Sequence, residues 1–350
     1  MGQSRQGIGG EGGLKVRIEE RGLGIEFNTG LSVRAAGAAL VVIMLSGAAA
    51  ADFPVRPIRF IVPQAAGSAS DTVARLVAAE LVRQLNQQVV IDNRPGGALM
   101  IGMELVAHAP PDGYTIGYGP IGALAIGPNM VRGLTFSVLK DLQPLAQTTT
   151  GSMLLAASPA TPFKSVRDVI DYAKQYPDKL SNASSGNGTP GHVGFELFKY
   201  MTGTRIVHIP YKGGAAGTID LIAGQVQLMM ESSNSMTPHV KSGKVRGLAV
   251  SSPARSPAFP DLPTIAEAGV PGYDATTWTG IVAPAGLPKA IVTKLNAEIN
   301  AALATPSLRE KLLAIGSEPA GGTPEHFREF IRKENVKWAD VIKRSGAKVD

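Results

Sequence analysis

The sequence predicts an α/β protein of about two domains. Three observations carry that expectation: short apolar strands alternate with amphipathic helical spacings, small-residue turns separate them, and 350 residues exceed one typical core. Alternation of this kind implies parallel sheets covered by helices.

The first unit sets the pattern. Ile58, Phe60, Ile61 and Val62 read as a buried strand stopped by Pro63, and Val73, Leu76, Val77 and Leu81 recur at helical spacing. Between them lies a turn of small residues, Gln64, Ala65, Ala66, Gly67 and Ser68, with Asp71 in the first helical turn. Such a turn leaves backbone N–H groups unpaired at the positive end of the helix, a place suited to an anion. Asp71 either caps those groups or meets the ligand.

Further strands are expected over 88–93, 114–118 and 141–148, with a helix over 100–108 and a turn at Pro110-Pro111-Asp112-Gly113. A second series follows. It has strands over 153–157, 180–183, 206–209, 226–230 and 245–250 and helices over 165–175, 192–201, 218–223 and 236–241. Ser165 and Asp168 are spaced as a capping pair for the first of these helices. After Trp278 come one strand, 281–284, and three helices, 288–304, 307–315 and 324–344. The last carries an apolar stripe of Phe327, Phe330, Ile331, Trp338 and Ile342. One strand and three helices are too few for a domain, so this tail completes the first lobe and the chain crosses between lobes twice.

Composition narrows the function. A net charge of +6 with scattered basic residues gives no nucleic-acid footprint, and zero cysteines exclude disulfides, thiolate catalysis and cysteine-bound zinc. Arg34 precedes an apolar run over 35–45, too short for a comfortable membrane span, and small residues follow at Ala48 to Ala51. Residues 1–51 therefore read as a leader and signal peptide, cleaved near Ala50 or Ala51.

Motifs favour holding a ligand over transforming one. Residues 186–191 spell Gly-x-Gly-x-x-Gly between a strand and a helix, but no acidic residue stands at the end of the next strand, in Ile206-Val207-His208-Ile209-Pro210-Tyr211. A dinucleotide site is thereby disfavoured. The stretch containing Ser184, Gly188, Thr189 and His192 reads better as a second anion-facing helix start, or simply as a tight turn. His192 either bonds a ligand or holds its loop. Tyr211 and Lys212 offer a phenol and an ammonium on a turn. Glu231, ending an apolar strand, either receives a ligand amine or locks a loop, and Trp278 is expected to pack. No nucleophile elbow or metal-binding spacing of the five histidines is present, so no catalytic residue, metal or cofactor is expected.

A series of ordered motifs then carries a specific resemblance. They are Pro57-Ile58-Arg59 through Gly67 and Asp71, Asn93-Arg94-Pro95-Gly96, Pro111-Asp112-Gly113-Tyr114, Pro210-Tyr211-Lys212-Gly213 and Gly224-Gln225-Val226. Gly243-Lys244-Val245-Arg246 with Leu248-Ala249-Val250, Pro263-Thr264 with Glu267-Ala268-Gly269, and Trp278 with Gly280 continue it. Together they resemble the substrate-binding proteins of tripartite tricarboxylate transporters, the Bug receptors, over essentially all of 52–350.

The resemblance implies a two-lobed periplasmic binding protein of type II-like architecture. Each lobe would be a mainly parallel sheet flanked by helices, lobe 1 comprising 52–151 and 277–350 and lobe 2 comprising 152–276. It also implies a non-enzymatic receptor that grips a small carboxylate in the cleft and delivers it to a membrane permease; a monomer is expected. The gripping N–H groups would come from 64–68 and 184–192. A ligand-sensing partner of a signalling system and a hydrolase on the same fold stay open as alternatives. Three departures from the family pattern bear on the ligand. Gln64 replaces an aromatic, Gly67-Ser68 replaces a glycine pair, and Gly97-Ala98-Leu99-Met100 is more apolar than the usual glycine- and asparagine-rich stretch. The first of these suggests a ligand with a polar group near Gln64.

Overall fold

The structure, a computed structural model, describes residues 53–347, and the leader expected over 1–51 lies outside them. The chain opens with β1 (Ile58–Val62), α1 (Ala69–Leu85), β2 (Val89–Asn93), α2 (Met100–Ala107) and β3 (Thr115–Pro120). A π-helical segment, Gly122–Ile126, runs into the short helices α3 (Gly127–Met130) and α4 (Val138–Asp141), and β4 (Leu142–Gly151) follows. A second series contains β5 (Met153–Ala157), α5 (Val166–Gln175), β6 (Ser181–Ser184), α6 (Pro190–Thr202), β7 (Val207–Pro210) and α7 (Gly214–Ile222). It ends with β8 (Leu228–Ser232), α8 (Ser233–Lys241) and β9 (Arg246–Val250). The tail is β10 (Thr277–Pro284), α9 (Lys289–Ala304), α10 (Pro306–Ala314), β11 (Ser317–Gly321) and α11 (Pro324–Ser345).

These strands form two sheets, ordered β11-β4-β10-β3-β1-β2 and β7-β6-β8-β5-β9. The two-lobed α/β architecture is as expected, but each sheet is mixed. β1 pairs parallel with β2 and β3, and β6 pairs parallel with β7 and β8, whereas β4, β10, β11, β5 and β9 join by antiparallel pairing. The physical reason is the crossing itself. β4 leads the chain out of the first sheet and β10 brings it back beside β4, so the two must run in opposite directions. β5 and β9 enter and leave the second sheet in the same way.

Burial follows the apolar pattern. Ile58, Phe60, Ile61 and Val62 of β1 are inaccessible to solvent, as are Leu154, Leu155 and Ala156 of β5. Ser165 and Asp168 form the expected reciprocal cap on α5. Several helices start earlier than apolar spacing suggested, α7 at Gly214 and α8 at Ser233, because their first turns are small or polar and carry no periodic signal. β11, with only Ser317 buried, was not expected.

The crossings are short and anchored. Ser152 alone separates β4 from β5, and Gly151 is the register partner of Thr277, so the chain leaves and re-enters the first sheet at one place. On the return, the Tyr273 hydroxyl donates to the Gly194 carbonyl at 2.8 Å, and Asp274 pairs with Lys337 of α11 at 2.7 Å. Trp278 is buried with its ring edge-on to Phe327 and Phe330, so its role is packing, as expected. Glu334 accepts from the indole N–H of Trp278 at 2.7 Å and of Trp338 at 3.0 Å.

Candidate functional site

The turn between β1 and α1 is held by a small network. Ser68 is the N-cap, its Oγ accepting from the Asp71 N–H at 3.2 Å. The buried Asp71 carboxylate accepts from the Gly67 N–H at 2.8 Å, from Arg75 Nε at 2.9 Å and from Asn93 Nδ2 at 2.9 Å. Asn93, at the end of β2, also donates to the Gln64 carbonyl at 2.9 Å. Burial alone would raise the Asp71 carboxyl; the Arg75 guanidinium, the Gly67 N–H and the Asn93 amide outweigh it and hold the carboxyl below its usual range. Asp71 thus locks the loop from beneath. Ala65, Ala66 and Gly67 are exposed above it, and the N–H groups of Ala65 and Ala66 have no hydrogen-bond partner among the described residues.

The turn between β6 and α6 is built differently. Gly186 and Gly188 take φ of +127° and +75°, which only glycine adopts freely, and this opens the loop at both ends. Thr189 occupies the N-cap position, but its hydroxyl donates back to the Gly186 carbonyl at 2.7 Å and caps nothing. The N–H groups of Gly191 and His192 therefore start α6 without a side-chain cap, at the positive end of the helix dipole. A Cβ on Gly191 would stand 2.1 Å from the Met230 carbonyl oxygen, so glycine alone lets this helix start approach β8.

A histidine pair supports that loop. His192 Nδ1 accepts from the Gly188 N–H at 3.1 Å, its ring stacks on His208 at 4.1 Å, and His208 Nε2 lies 2.6 Å from Ser184 Oγ. His192 is buried, and burial first, then the neighbouring His208 and Lys199, push its imidazole down to about 3. It is neutral at neutral pH and acts as an acceptor. Ser184 Oγ in turn meets the N–H and carbonyl of Gly186, each at 3.2 Å.

Glu231 and Tyr211 flank this loop. Glu231 accepts from the Ser185 hydroxyl and, at 2.8 Å, from the Ser232 N–H, which ties the loop to the end of β8. Burial raises its carboxyl despite those two hydrogen bonds. The Tyr211 N–H donates to the Ser184 carbonyl at 3.0 Å, while its phenol donates to Asp220 at 2.6 Å. Burial and the Asp220 carboxylate push that phenol up to about 12. Among the described residues no group of three or more His, Asp or Glu side chains is placed to hold a metal ion.

The sequence-predicted residues thus form two clusters. One contains Gln64, Ala65, Ala66, Gly67, Ser68 and Asp71; the other contains Ser184, Gly188, Thr189, His192, Tyr211 and Glu231. Gly122, at the start of the π-helical segment after β3, lies against the second cluster. A Cβ there would stand 3.6 Å from Pro190 Cδ, 4.0 Å from the Gly188 carbonyl oxygen and 2.8 Å from Leu99 Cδ1. Leu99 belongs to an unusual turn. Gly96, Gly97, Ala98 and Leu99 all take positive φ, at 119°, 55°, 51° and 76°, and the Leu99 N–H closes on the Gly96 carbonyl at 3.0 Å. For Ala98 and Leu99 this left-handed backbone costs about 1 kcal/mol or more each.

Comparison with known proteins decides the family. A family profile described as tripartite tricarboxylate transporter family receptor (TctC) matches residues 73–347. The chain belongs to this family. It is 36% identical over 298 residues to protein BugT of Bordetella pertussis, covering 85% of this chain and 91% of BugT. Among solved structures, R. palustris Rpa4515 with adipate superposes with a TM-score of 0.81 at 38% identity, covering 85% of this chain and 99% of that one. MatC from Rhodopseudomonas palustris with bound malate gives 0.77 at 32% identity, covering 83% and 100%.

Sequence reasoning missed three contributors, Asn93, His208 and Ser185, which support the loops through side chains; Leu99, in the apolar stretch already singled out as bearing on the ligand, reaches Gly122. His208 carried a usable signal, a polar residue inside the strand that follows the glycine loop. Asn93 stood in a matched motif without a role.

Proposed function

We propose that this TctC-family receptor is a periplasmic solute-binding protein that captures a small carboxylate and hands it to the membrane permease of a tripartite transporter. The observation that carries the reading is family membership over residues 73–347 together with relatives solved with adipate and malate. In this reading lobe 1 comprises 52–151 and 277–350, lobe 2 comprises 152–276, and the ligand enters between them as a monomer's single guest. The exposed N–H groups of Ala65 and Ala66 and the uncapped start of α6 supply donors for one carboxylate. Asp71, Glu231 and His192 hold those donors in place. Closure would remove water from around the ligand and strengthen each of these hydrogen bonds. The role is binding without turnover, and the leader directs the chain to the periplasm before it is removed.

The test is a thermal-shift screen of protein recovered from the periplasmic fraction, against mono-, di- and tricarboxylates, amino acids and sugars. A ligand of micromolar affinity at about 1 mM adds roughly 4 kcal/mol to the folded state. A shift confined to carboxylates is the expected result. A shift with sugars alone, or steady hydrolysis of an ester or amide in the panel, would overturn the reading. Mass spectrometry of the same sample should place its first residue near Ala51.

A further inference from the structure

We propose that Leu99 selects the body of the ligand, so that the cleft prefers dicarboxylates joined by a plain methylene chain over hydroxylated ones. The inference rests on the carboxylate-receptor reading and deepens it. Two features converge on this residue. Leu99 follows β2, whose last residue, Asn93, bonds the first loop through the Gln64 carbonyl and Asp71. Its side chain meets Gly122, which itself lies against Pro190 and the Gly188 carbonyl of the second loop. The residue therefore stands beside the second anion-facing loop and the segment that follows β3, on the stretch that runs on from the residue bracing the first loop.

The backbone points the same way. Two successive non-glycine residues, Ala98 and Leu99, are held at φ of 51° and 76°, where asparagine or glycine would rest with less strain. Strain of this kind persists where surrounding structure over-determines it, and it concentrates at ligand clamps. The π-helical segment against which the turn packs is a second irregularity of the same sort. Leu99 is half-buried, touching the core while keeping accessible surface, and residues 96–100 carry no polar side chain. A hydroxyl on the ligand would find no side-chain partner at these residues, whereas methylene groups would gain contact with Leu99.

The experiment measures adipate and malate binding by calorimetry on the wild-type receptor, Leu99→Asn and Leu99→Ala. Asparagine tolerates the left-handed backbone and offers a polar side chain, so the fold survives, which circular dichroism checks. The wild type should favour adipate. Leu99→Asn should weaken adipate about tenfold and strengthen malate, while Leu99→Ala should weaken adipate without helping malate. Equal changes for both ligands in Leu99→Asn would show a packing residue only and overturn the inference while leaving the carboxylate reading intact. A wild type that favours malate would also overturn it. Binding of neither acid, with a shift from another solute class, would bring down both readings.

Discussion

The imidazoles of His192 and His208 stack at 4.1 Å with their planes 9° apart, and each holds one end of the same loop. His192 takes the Gly188 N–H, and His208 meets Ser184 Oγ. His208→Phe keeps a flat ring but loses the polar contact. It should lower stability by about 1–3 kcal/mol and weaken carboxylate binding roughly tenfold, as read by urea denaturation and calorimetry. Unchanged affinity in a folded variant would remove His208 from any role in shaping the loop.

The same pair sets an acid sensitivity. The His192 imidazole is pushed down to about 3 in the folded protein, so between the ordinary histidine value of 6.5 and about 3 the unfolded chain binds the extra proton. Stability therefore falls as pH drops through 6.5 and continues to fall until about 3. By pH 5 the loss from this residue should be about 2 kcal/mol. His192→Asn, which keeps an acceptor and cannot titrate, should flatten the stability profile over pH 5 to 7. A profile as steep as the wild type's would assign the loss to other groups.

Gly191→Ala tests the approach of α6 to β8. The added methyl would stand 2.1 Å from a backbone oxygen that no rotamer can move aside. The helix start must shift, at a cost of about 1–3 kcal/mol, and donors at the second loop shift with it. The variant should melt several degrees lower and bind carboxylates at least tenfold more weakly. A wild-type melting curve with wild-type affinity would show that the loop absorbs the methyl.

Glu334→Leu removes the acceptor shared by Trp278 and Trp338, both of which are buried. Two indole N–H groups would be left without partners at about 1–3 kcal/mol each, so the urea midpoint should fall markedly. Glu334→Gln keeps an acceptor and should lie closer to the wild type. Equal losses in the two variants would point to the charge, through Lys337 at 3.9 Å, as the important element.

How much of this was legible depended on where the information lay. Strands such as β1, buried but for Arg59, and β5, buried along its whole length, announce themselves as apolar runs, and the cap of α5 is written in two residues three apart. β11 is a polar edge strand that, among the described residues, pairs with β4 alone, and its pairing is a tertiary fact. Strand direction was equally hidden, because the antiparallel pairing of β10 follows from where the chain returns. At the candidate site the small residues of both loops were legible as helix starts. The side chains that support them, Asn93 and His208, act across the sheets, and only His208, a polar residue inside a strand, leaves a local signal. The left-handed turn ending at Leu99 was hidden for the opposite reason, since Ala98 and Leu99 are residue types that ordinarily avoid it.

The pairing of Gly151 with Thr277 has a consequence for how the chain is assembled. Everything between those two residues is one uninterrupted stretch with a five-stranded sheet of its own, all of whose strands are synthesised before β10. The six-stranded sheet cannot close until β10 has been made, because β10 lies between β3 and β4. Once the intervening stretch is compact, its two ends already lie side by side, and the large entropy of closing so long a loop has been removed in advance. Synthesis order and topology then agree: β10 is made after the last strand of the five-stranded sheet, and it is the strand that joins β3 to β4.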